Sequence, residues 1–196
     1  IKKVVTAIEP KPSDFNVEIG PGRGALTFPL AAKAYKLLAI EIDRTLTETL
    51  RVSANGSAEF IQADFLEVDL SKITAALHTG GSPIRVVGNL PYNMSAPIIL
   101  RLLRHAHSNE ISDATIMVQR EVGERVIALP GSKDYGPLAV MTSLHSNSTR
   151  LLDLPPGAFR PRPKVHSMLI RLRFQHPERS PSNLVQFESF VRQLFT

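Results

Sequence analysis

The stretch VEIGPGRGA, at residues 17–25, decides the fold class of this chain. It overlaps an apolar run at residues 15–19 that predicts a strand, and it leads into an apolar pattern at residues 25–34 that predicts a helix. The glycines let the backbone turn sharply and let a ligand approach the start of a helix closely. A glycine-rich loop alone is a weak signal, because it is also typical of any tight turn between a strand and a helix.

Strand-like and helix-like runs alternate on the C-terminal side of this loop. The alternation predicts an α/β fold in which helices cover both faces of a parallel sheet. Residues 136–146 fit either period, and we expect a helix there. The other predicted strands are residues 37–42, 58–62, 84–87 and 114–118, and the other predicted helices are residues 45–52, 95–105 and 121–129.

The pattern changes near residue 150. Residues 151–154 predict a strand, and four prolines follow between residues 155 and 163. Residues 165–174 alternate apolar with polar side chains, which favours an antiparallel strand at or near a sheet edge with one wetter face. We expect a linker at residues 175–182 and an amphipathic helix at residues 183–195. The chain therefore divides into a domain at residues 1–174 and, at residues 175–196, a linker with the start of a small helical domain.

Composition excludes several classes of protein. The chain has 196 residues, 43% hydrophobic and 21% charged, which is typical of a globular protein. It has no cysteine, so disulfides, thiolate nucleophiles and cysteine-ligated metals are excluded, and we expect no metal site. No apolar run approaches the roughly 20 residues that cross a bilayer, and no signal peptide is evident. We expect a cytoplasmic protein that does not bind membranes.

The net charge of +5 is unevenly distributed along the chain. Residues 1–149 carry 15 basic and 15 acidic side chains, whereas residues 150–196 carry 8 basic and 3 acidic ones. Two interpretations explain this excess equally well: a solvated basic face, or a surface that binds phosphates.

Acidic residues near the ends of the first three predicted strands indicate the cofactor. Glu41 lies 17 residues beyond Gly24, near the offset of about 20 at which a carboxylate binds ribose hydroxyls. The spacing of the glycines departs from the dinucleotide fingerprint, and Glu18 would repel a pyrophosphate. S-adenosylmethionine fits better, because its sulfonium and ammonium groups are cationic. Asp64 is placed to accept a hydrogen bond from the adenine amino group, although a turn cap is the commoner role for such a residue.

The fourth predicted strand runs into NLPYN, residues 89–93, where open α/β sheets hold reacting groups. An enzyme that methylates an exocyclic amine can accept both amine protons in hydrogen bonds and so aim the nitrogen lone pair at the methyl group. The Asn89 side-chain oxygen and the Leu90 carbonyl are candidate acceptors, and Pro91 fixes the turn that presents them. Tyr92 offers a flat ring on which an extruded base can stack.

Four motifs resemble those of the ribosomal RNA adenine N6,N6-dimethyltransferase family. They are EIGPG at residues 18–22, EID at 41–43, NLPYN at 89–93 with Ser95, and FRPRPKV at 159–165 with Ser167. The resemblance implies a seven-stranded methyltransferase sheet with a small helical C-terminal domain. It also implies transfer of methyl groups from S-adenosylmethionine to two adjacent adenosines in a hairpin near the 3′ end of small-subunit rRNA.

The resemblance implies roles for individual residues. Asn89 and Tyr92 would hold the target base, and Phe159 would cover its opposite face. Leu90 and Pro91 complete the reacting loop, and Ile42 would contact the cofactor adenine. We expect a monomer whose partner is small-subunit rRNA or its precursor particle. The expected cofactor residues are Glu18, Gly20, Gly22, Glu41, Ile42, Asp64 and Asn89, and the expected RNA-binding residues are Arg160, Arg162, Lys164, Arg171 and Arg173.

Three other interpretations stay open at this point. Large-subunit rRNA dimethyltransferases of the antibiotic-resistance type share the fold, but their usual motif resembles Asn-Ile-Pro-Tyr, so Leu90 favours the small-subunit group. Organellar transcription factors related to this family bind nucleic acid without catalysis, and the intact motifs argue against them. A nicotinamide-dependent oxidoreductase would differ in its cofactor. The family's Asn-Phe-Leu segment and most of its helical domain do not occur here, so we expect weaker cofactor binding and less specific RNA binding.

Overall fold

The computed structural model describes residues 1–77, 84–106, 110–160, 162–175 and 181–195. Its strands are β1 (Phe15–Ile19), β2 (Lys36–Glu41), β3 (Glu59–Gln62), β4 (Ile84–Asn89), β5 (Ile111–Gln119), β6 (Ser146–Leu154) and β7 (Ser167–Phe174). Its α-helices are α1 (Lys2–Ile8), α2 (Thr27–Ala31), α3 (Arg44–Ala54), α4 (Leu70–Leu77), α5 (Ser95–His105), α6 (Arg120–Val126), α7 (Pro137–His145) and α8 (Leu184–Gln193).

The strands form one seven-stranded sheet in the order β3-β2-β1-β4-β5-β7-β6. The first five strands run parallel, and β7 runs antiparallel to both of its neighbours. All five residues of β1 and the first five of β4 are buried, as expected for strands covered on both faces. This topology confirms the predicted α/β fold and places the carboxyl ends of β1 to β5 at one edge.

Helices pack on both faces of the sheet and divide the core into two layers. On one face, Val17 and Val86 belong to a large apolar cluster that includes Ile99 and Leu102 of α5. The apolar cluster on the opposite face is smaller, and α1 and α2 contribute residues such as Val5 and Leu30 to it. The sequence analysis predicted neither α1 nor α4.

Most predicted elements agree with the structure, but their bounds shift. The predicted first strand coincides with β1, and the ambiguous segment at residues 136–146 is helix α7. Helix α2 is shorter than the predicted helix at residues 25–34, because residues 22–26 still belong to the turn. The expected linker at residues 175–182 lies mostly outside the described residues. None of the described helices is long and apolar enough to span a membrane.

Strand β7 differs from its prediction in burial. It is antiparallel and lies next to the edge strand β6, as predicted, but the expected wetter face is wrong, since Ser167 to Leu172 are all buried. Met168 packs against Gly123 of α6, and the polar side chain of Arg171 is satisfied inside the protein. The charge of Arg171 in this strand therefore reflects an internal ion pair, and only the end of β7, at Arg173, is exposed to water.

A group of five charged residues, which we call the α1 clamp, joins α1 to the sheet. It consists of Glu9, Asp14, Arg85, Asp113 and Arg171. Arg85 donates to Asp14 Oδ2 and Asp113 Oδ1, both at 2.8 Å, and to the carbonyls of Ile8 and Glu9. Arg171 donates to Glu9 Oε2 at 2.8 Å and to the carbonyls of Ala7 and Ile8. Burial lowers the pKa of Arg85, but the two aspartates outweigh it and raise the pKa above its usual value.

Helix α8 packs against α7, and a buried glutamate also ties it to α5. Glu188 accepts hydrogen bonds from Arg104 of α5 and from Arg192 of its own helix. Burial raises the pKa of Glu188, but the two guanidinium groups hold it below its usual value. The assignment of residues 175–196 to a second domain stays a prediction.

Candidate active site

Two cavities open at the carboxyl edge of the sheet, and Gly20 lines both of them. Glu18 and Asn89 line the larger one, of about 560 Å³, together with Phe159 and Arg160. The smaller one, of about 250 Å³, contains Glu41, Ile42 and Asp64. The two cavities form a crevice in two parts around the glycine loop. The structure thus brings together the expected cofactor residues that the sequence separates by up to 71 positions, from Glu18 to Asn89.

The glycine loop has the backbone that its sequence predicts. Gly20, Gly22 and Gly24 all have positive φ, and a Cβ at Gly24 would lie 2.4 Å from the ring of Phe28. The Gly20 N–H donates to the carbonyl of Ile40 at 2.9 Å, which anchors the loop to β2. Residues other than glycine would strain this turn.

Glu41 fixes the floor of the smaller cavity. Its carboxylate accepts hydrogen bonds from the N–H of Gly22 and the N–H of Asp43, both at 3.0 Å. Asp43 in turn accepts from the N–H of Leu46 and caps α3. The side chain that the sequence assigns to a ribose is therefore buried and held between the glycine loop and the start of α3.

Asp64 acts as a turn cap, and its expected contact with the adenine amino group stays a prediction. Its Oδ1 accepts a hydrogen bond from the N–H of Leu66 at 2.8 Å, as a turn cap does, and the residue also lines the smaller cavity. Ile42 lines the same cavity and is 64% exposed, so its side chain is available to a flat ligand. Phe65 and Met94 complete this wall, and the sequence analysis missed both. Phe65 directly follows Asp64, and that adjacency was the only available signal.

Glu18 lines the larger cavity as a buried carboxylate. It is 1% exposed, and within the described residues its Oε2 has no hydrogen-bond partner. The pKa of Glu18 is raised to about 7, chiefly because burial disfavours the charged form; the Thr27 hydroxyl lowers the pKa in part, and the negative charge of Glu41 adds to the rise. An unpaired buried carboxylate is costly, and a cationic group beside it would offset that cost. The donor set therefore fits a ligand with a cationic end and a ribose, which S-adenosylmethionine has.

The NLPYN loop is held at both ends. The N–H of Leu90 donates to the carbonyl of Met117 in β5, and the Pro91 carbonyl accepts from the Met94 N–H and the Ser95 hydroxyl, each at 3.0 Å. Asn89 ends β4 and is exposed toward the larger cavity. Such anchoring holds the main chain of the loop, with the Leu90 carbonyl, in a fixed relation to the sheet.

The two expected aromatic residues occupy different positions. Phe159 lines the larger cavity with Asn89, whereas Tyr92 is half-buried and is not among the residues that line it. The Tyr92 hydroxyl lies 3.1 Å from the Ser167 hydroxyl. The structure thus brings Phe159 to the site and places Tyr92 at its side.

Gly88 sets the distance between β1 and β4 at the base of the crevice. A Cβ at this position would lie 2.7 Å from the carbonyl oxygen of Ile19. Any larger residue would push against the backbone of β1, which carries Glu18 and the glycine loop.

The five expected RNA-binding residues do not form one patch. Arg160, Arg162 and Lys164 are exposed, and Arg160 lines the larger cavity. The expectation for Arg171 is wrong, because this side chain is 6% exposed and is paired within the α1 clamp. Arg173 is exposed but lies opposite Asp113, roughly 20 Å along β7 from Ser167 at about 3.3 Å per residue. Of the five, Arg160 is the one that lines the crevice, and Arg162 and Lys164 follow it closely in sequence.

The model of the ribosomal RNA adenine dimethylase family matches residues 1–196. The chain belongs to this family. Among curated relatives, the ribosomal RNA small subunit methyltransferase A of Xanthomonas campestris pv. campestris (strain B100) is 46% identical over 174 residues, which are 88% of this chain and 64% of the relative. The chain thus spans just under two thirds of the length of that relative. Membership confirms the family resemblance and gives no support to a nicotinamide-dependent oxidoreductase.

Solved structures agree with the adenine dimethylase fold. A dimethyladenosine transferase from Plasmodium falciparum superposes with a TM-score of 0.79 at 24% identity and covers 97% of this chain and 66% of its own. The 23S rRNA methyltransferase ErmE gives a TM-score of 0.74 at 29% identity, with coverage of 99% and 76%. The TrmK protein of M. capricolum, solved with S-adenosyl-homocysteine, has a TM-score of 0.55 at 15% identity and covers 93% of this chain and 72% of its own. The methyltransferase sheet is therefore confirmed.

Proposed function

We propose that this chain transfers methyl groups from S-adenosylmethionine to the N6 amines of two adjacent adenosines in a hairpin near the 3′ end of small-subunit rRNA. The observation that carries the proposal is the larger cavity, in which Glu18, Asn89 and Phe159 meet beside the anchored NLPYN loop. The name of the Xanthomonas relatives supports the small-subunit substrate.

The carboxylates divide the binding of the cofactor between them. Glu41 and Asp64 suit the ribose and the adenine amino group, and Ile42 offers an apolar surface to the adenine ring. Glu18 suits the cationic end, and the glycine loop lets the cofactor approach the backbone closely. When bound, S-adenosylmethionine supplies a methyl group on a positively charged sulfur.

Asn89 and Leu90 act on the amine of the target base. In free adenine the nitrogen lone pair is delocalised into the ring, which makes it a poor nucleophile. The Asn89 oxygen and the Leu90 carbonyl accept the two amine protons in hydrogen bonds and draw the nitrogen toward tetrahedral geometry. This geometry is reached fully only in the transition state, so the two acceptors accelerate the reaction without a strong base.

Two kinds of contact hold the RNA. Phe159 stacks on the extruded adenine from within the larger cavity, and Tyr92 supports it from the NLPYN loop. Arg160, Arg162 and Lys164 contact the phosphates on either side of the target nucleotide. We propose further that the chain works as a monomer in the cytoplasm, on small-subunit rRNA or its precursor particle.

Methylation mapped at nucleotide resolution tests the proposed function. The full chain, labelled S-adenosylmethionine and a small-subunit precursor particle should give dimethylation at two adjacent adenosines in the 3′ hairpin. Large-subunit RNA serves as the second substrate. Methylation of a single adenosine in large-subunit RNA would instead assign the chain to the antibiotic-resistance type, and RNA binding without any transfer would assign it to the non-catalytic relatives.

Replacing Glu41 by alanine should weaken the binding of S-adenosylmethionine by about one to two decades. The reason is that hydrogen bonds to a charged group contribute roughly 1.5–3 kcal/mol. Titration calorimetry measures the dissociation constant. Glu48→Ala, which removes an exposed carboxylate from α3, is the matched control and should leave the affinity unchanged. A folded Glu41→Ala protein with the affinity of the parent chain would contradict the ribose assignment.

Neutralising Arg160, Arg162 and Lys164 together should flatten the salt dependence of RNA binding. Each phosphate contact contributes roughly 0.7–0.9 to the slope of log affinity against log salt concentration, so the slope should fall by about 2. Fluorescence anisotropy with a labelled hairpin RNA gives the slope. Arg173→Gln, at the opposite end of β7, is the control and should not change it. If the triple variant keeps the original slope, these residues form only a solvated face.

A further inference from the structure

One side-chain hydrogen bond ties the NLPYN loop to the sheet. Tyr92 belongs to that loop, which follows β4, and the proposed function places its ring beside the target base. Ser167 is the first residue of β7, the strand that follows the segment of Phe159, and its hydroxyl lies 3.1 Å from the hydroxyl of Tyr92. This contact spans 75 positions of sequence and joins the NLPYN loop to the start of β7.

Ser167 is the rigid partner in this contact. It is completely buried, and its backbone pairs with Gln119 of β5 on one side and with Leu154 of β6 on the other. The preceding residue, His166, accepts a hydrogen bond from the N–H of Arg120 at 2.9 Å. The main chain of Ser167 is therefore held by β5, β6 and α6, and complete burial restricts the movement of its short side chain.

Tyr92 is the adaptable partner. It lies in a turn between β4 and α5 and is half-buried, so its ring is not enclosed by the core. The loop backbone is anchored through Leu90 and Pro91, but those bonds fix the main chain and leave the torsions of the Tyr92 side chain free. Within the described residues, the hydrogen bond to Ser167 ties the end of this side chain to the sheet, so it selects an orientation of the ring.

We propose that Ser167 is a positioning residue for methyl transfer, which holds the Tyr92 ring at the angle at which the target adenine stacks. This proposal rests on the proposed function and adds a residue to it. The Tyr92 hydroxyl donates to or accepts from Ser167 and takes no proton from the substrate. The reaction needs the ring and its orientation, and the hydroxyl serves only to set that orientation.

A double-mutant cycle tests this role. Ser167→Ala and Tyr92→Phe remove the same hydrogen bond from opposite ends, so each should lower the single-turnover rate of methyl transfer by about two- to tenfold, the range expected for one neutral hydrogen bond. The double variant should be no slower than either single variant. Rates that multiply would overturn the proposal, because the two hydroxyls would then act independently. A Tyr92→Phe protein with the full rate would overturn it as well.

A spectroscopic measurement keeps this test independent of activity. The chain has three tyrosines, so fluorotyrosine incorporation gives three fluorine NMR signals, and the Tyr92→Phe spectrum identifies the signal of Tyr92. Ser167→Ala should shift that signal alone. Ser146→Ala removes another buried serine hydroxyl, at the far end of β6, and should leave all three signals and the rate unchanged. A Tyr92 signal unmoved by Ser167→Ala would overturn the proposal even if the chain methylates RNA, whereas a shifted signal in a chain that transfers no methyl group would overturn only the proposed function.

Discussion

Replacing Asn89 by alanine should lower the rate of methyl transfer to RNA by about two to three decades, the loss typical of removing one preorganised polar group from an active site. Asn89 ends β4 beside Glu18 and Phe159, and its side-chain oxygen is one of the two proposed acceptors for the amine protons. Single-turnover rates on one RNA substrate measure the effect, because they report the chemical step and not product release.

The neighbouring residues supply the controls for this result. Asn93→Ala removes an exposed amide from the same loop and should leave the rate near that of the parent chain. Tyr92→Ala should lose roughly 1–3 kcal/mol of stacking. Tyr92→Phe keeps the ring and should have a far smaller effect than Asn89→Ala. If Tyr92→Phe lowered the single-turnover rate as much as Asn89→Ala, the Tyr92 hydroxyl would have a direct part in catalysis. Orientation of the amine lone pair by Asn89 and Leu90 would then no longer explain the rate.

Replacing Arg85 by methionine should lower the free energy of unfolding by about 3–5 kcal/mol, the range for removal of one partner from a buried ion pair. The α1 clamp would lose its central guanidinium, and the carboxylates of Asp14 and Asp113, both about 11% exposed, would remain buried. The carbonyls of Ile8 and Glu9 would also lose their hydrogen bonds from Arg85, although Ile8 keeps the one from Arg171. Urea denaturation with a common slope for all variants gives the difference in free energy.

An exposed arginine provides the matched control for this stability change. Arg44 pairs with Glu48 on the surface of α3, with side-chain exposures of 78% and 58%. Such pairs contribute less than about 1 kcal/mol, so Arg44→Met should move the urea midpoint little. If Arg85→Met and Arg44→Met lowered the free energy of unfolding by similar amounts, burial of the α1 clamp would not explain how much it contributes to stability.

The parts of the site that lie at the carboxyl ends of parallel strands were the most predictable. The glycine loop directly follows β1, Glu41 is the last residue of β2, and the NLPYN loop begins at the last residue of β4. Parallel strands bring their carboxyl ends to one edge whatever the details of packing. The spacing of Glu41 from the loop was enough to place its carboxylate near Gly22. Local pattern and the rules of α/β topology together account for this success.

Residues whose surroundings come from distant segments were less predictable. Arg171 and Arg173 lie two residues apart in β7, each between apolar residues, so their side chains point to the same face of the sheet. Arg171 is nevertheless paired with Glu9, at the end of α1, whereas Arg173 is exposed. No periodicity in residues 165–174 carries that difference, because the partner lies 162 positions earlier in the chain. The contact between Tyr92 and Ser167 was hidden for the same reason.

Gly88 has a consequence for how the crevice can diversify. Where β1 and β4 meet at the base of the crevice, their spacing is set by the approach of Gly88 to the Ile19 carbonyl, so it depends on main chain rather than on the size of any side chain. The width of the crevice at its base therefore does not depend on the side chains that line it. Residues such as Ile42, Met94 or Arg160 can be exchanged to suit a different ligand edge or a different RNA, while the two strands that carry Glu18 and Asn89 keep their distance.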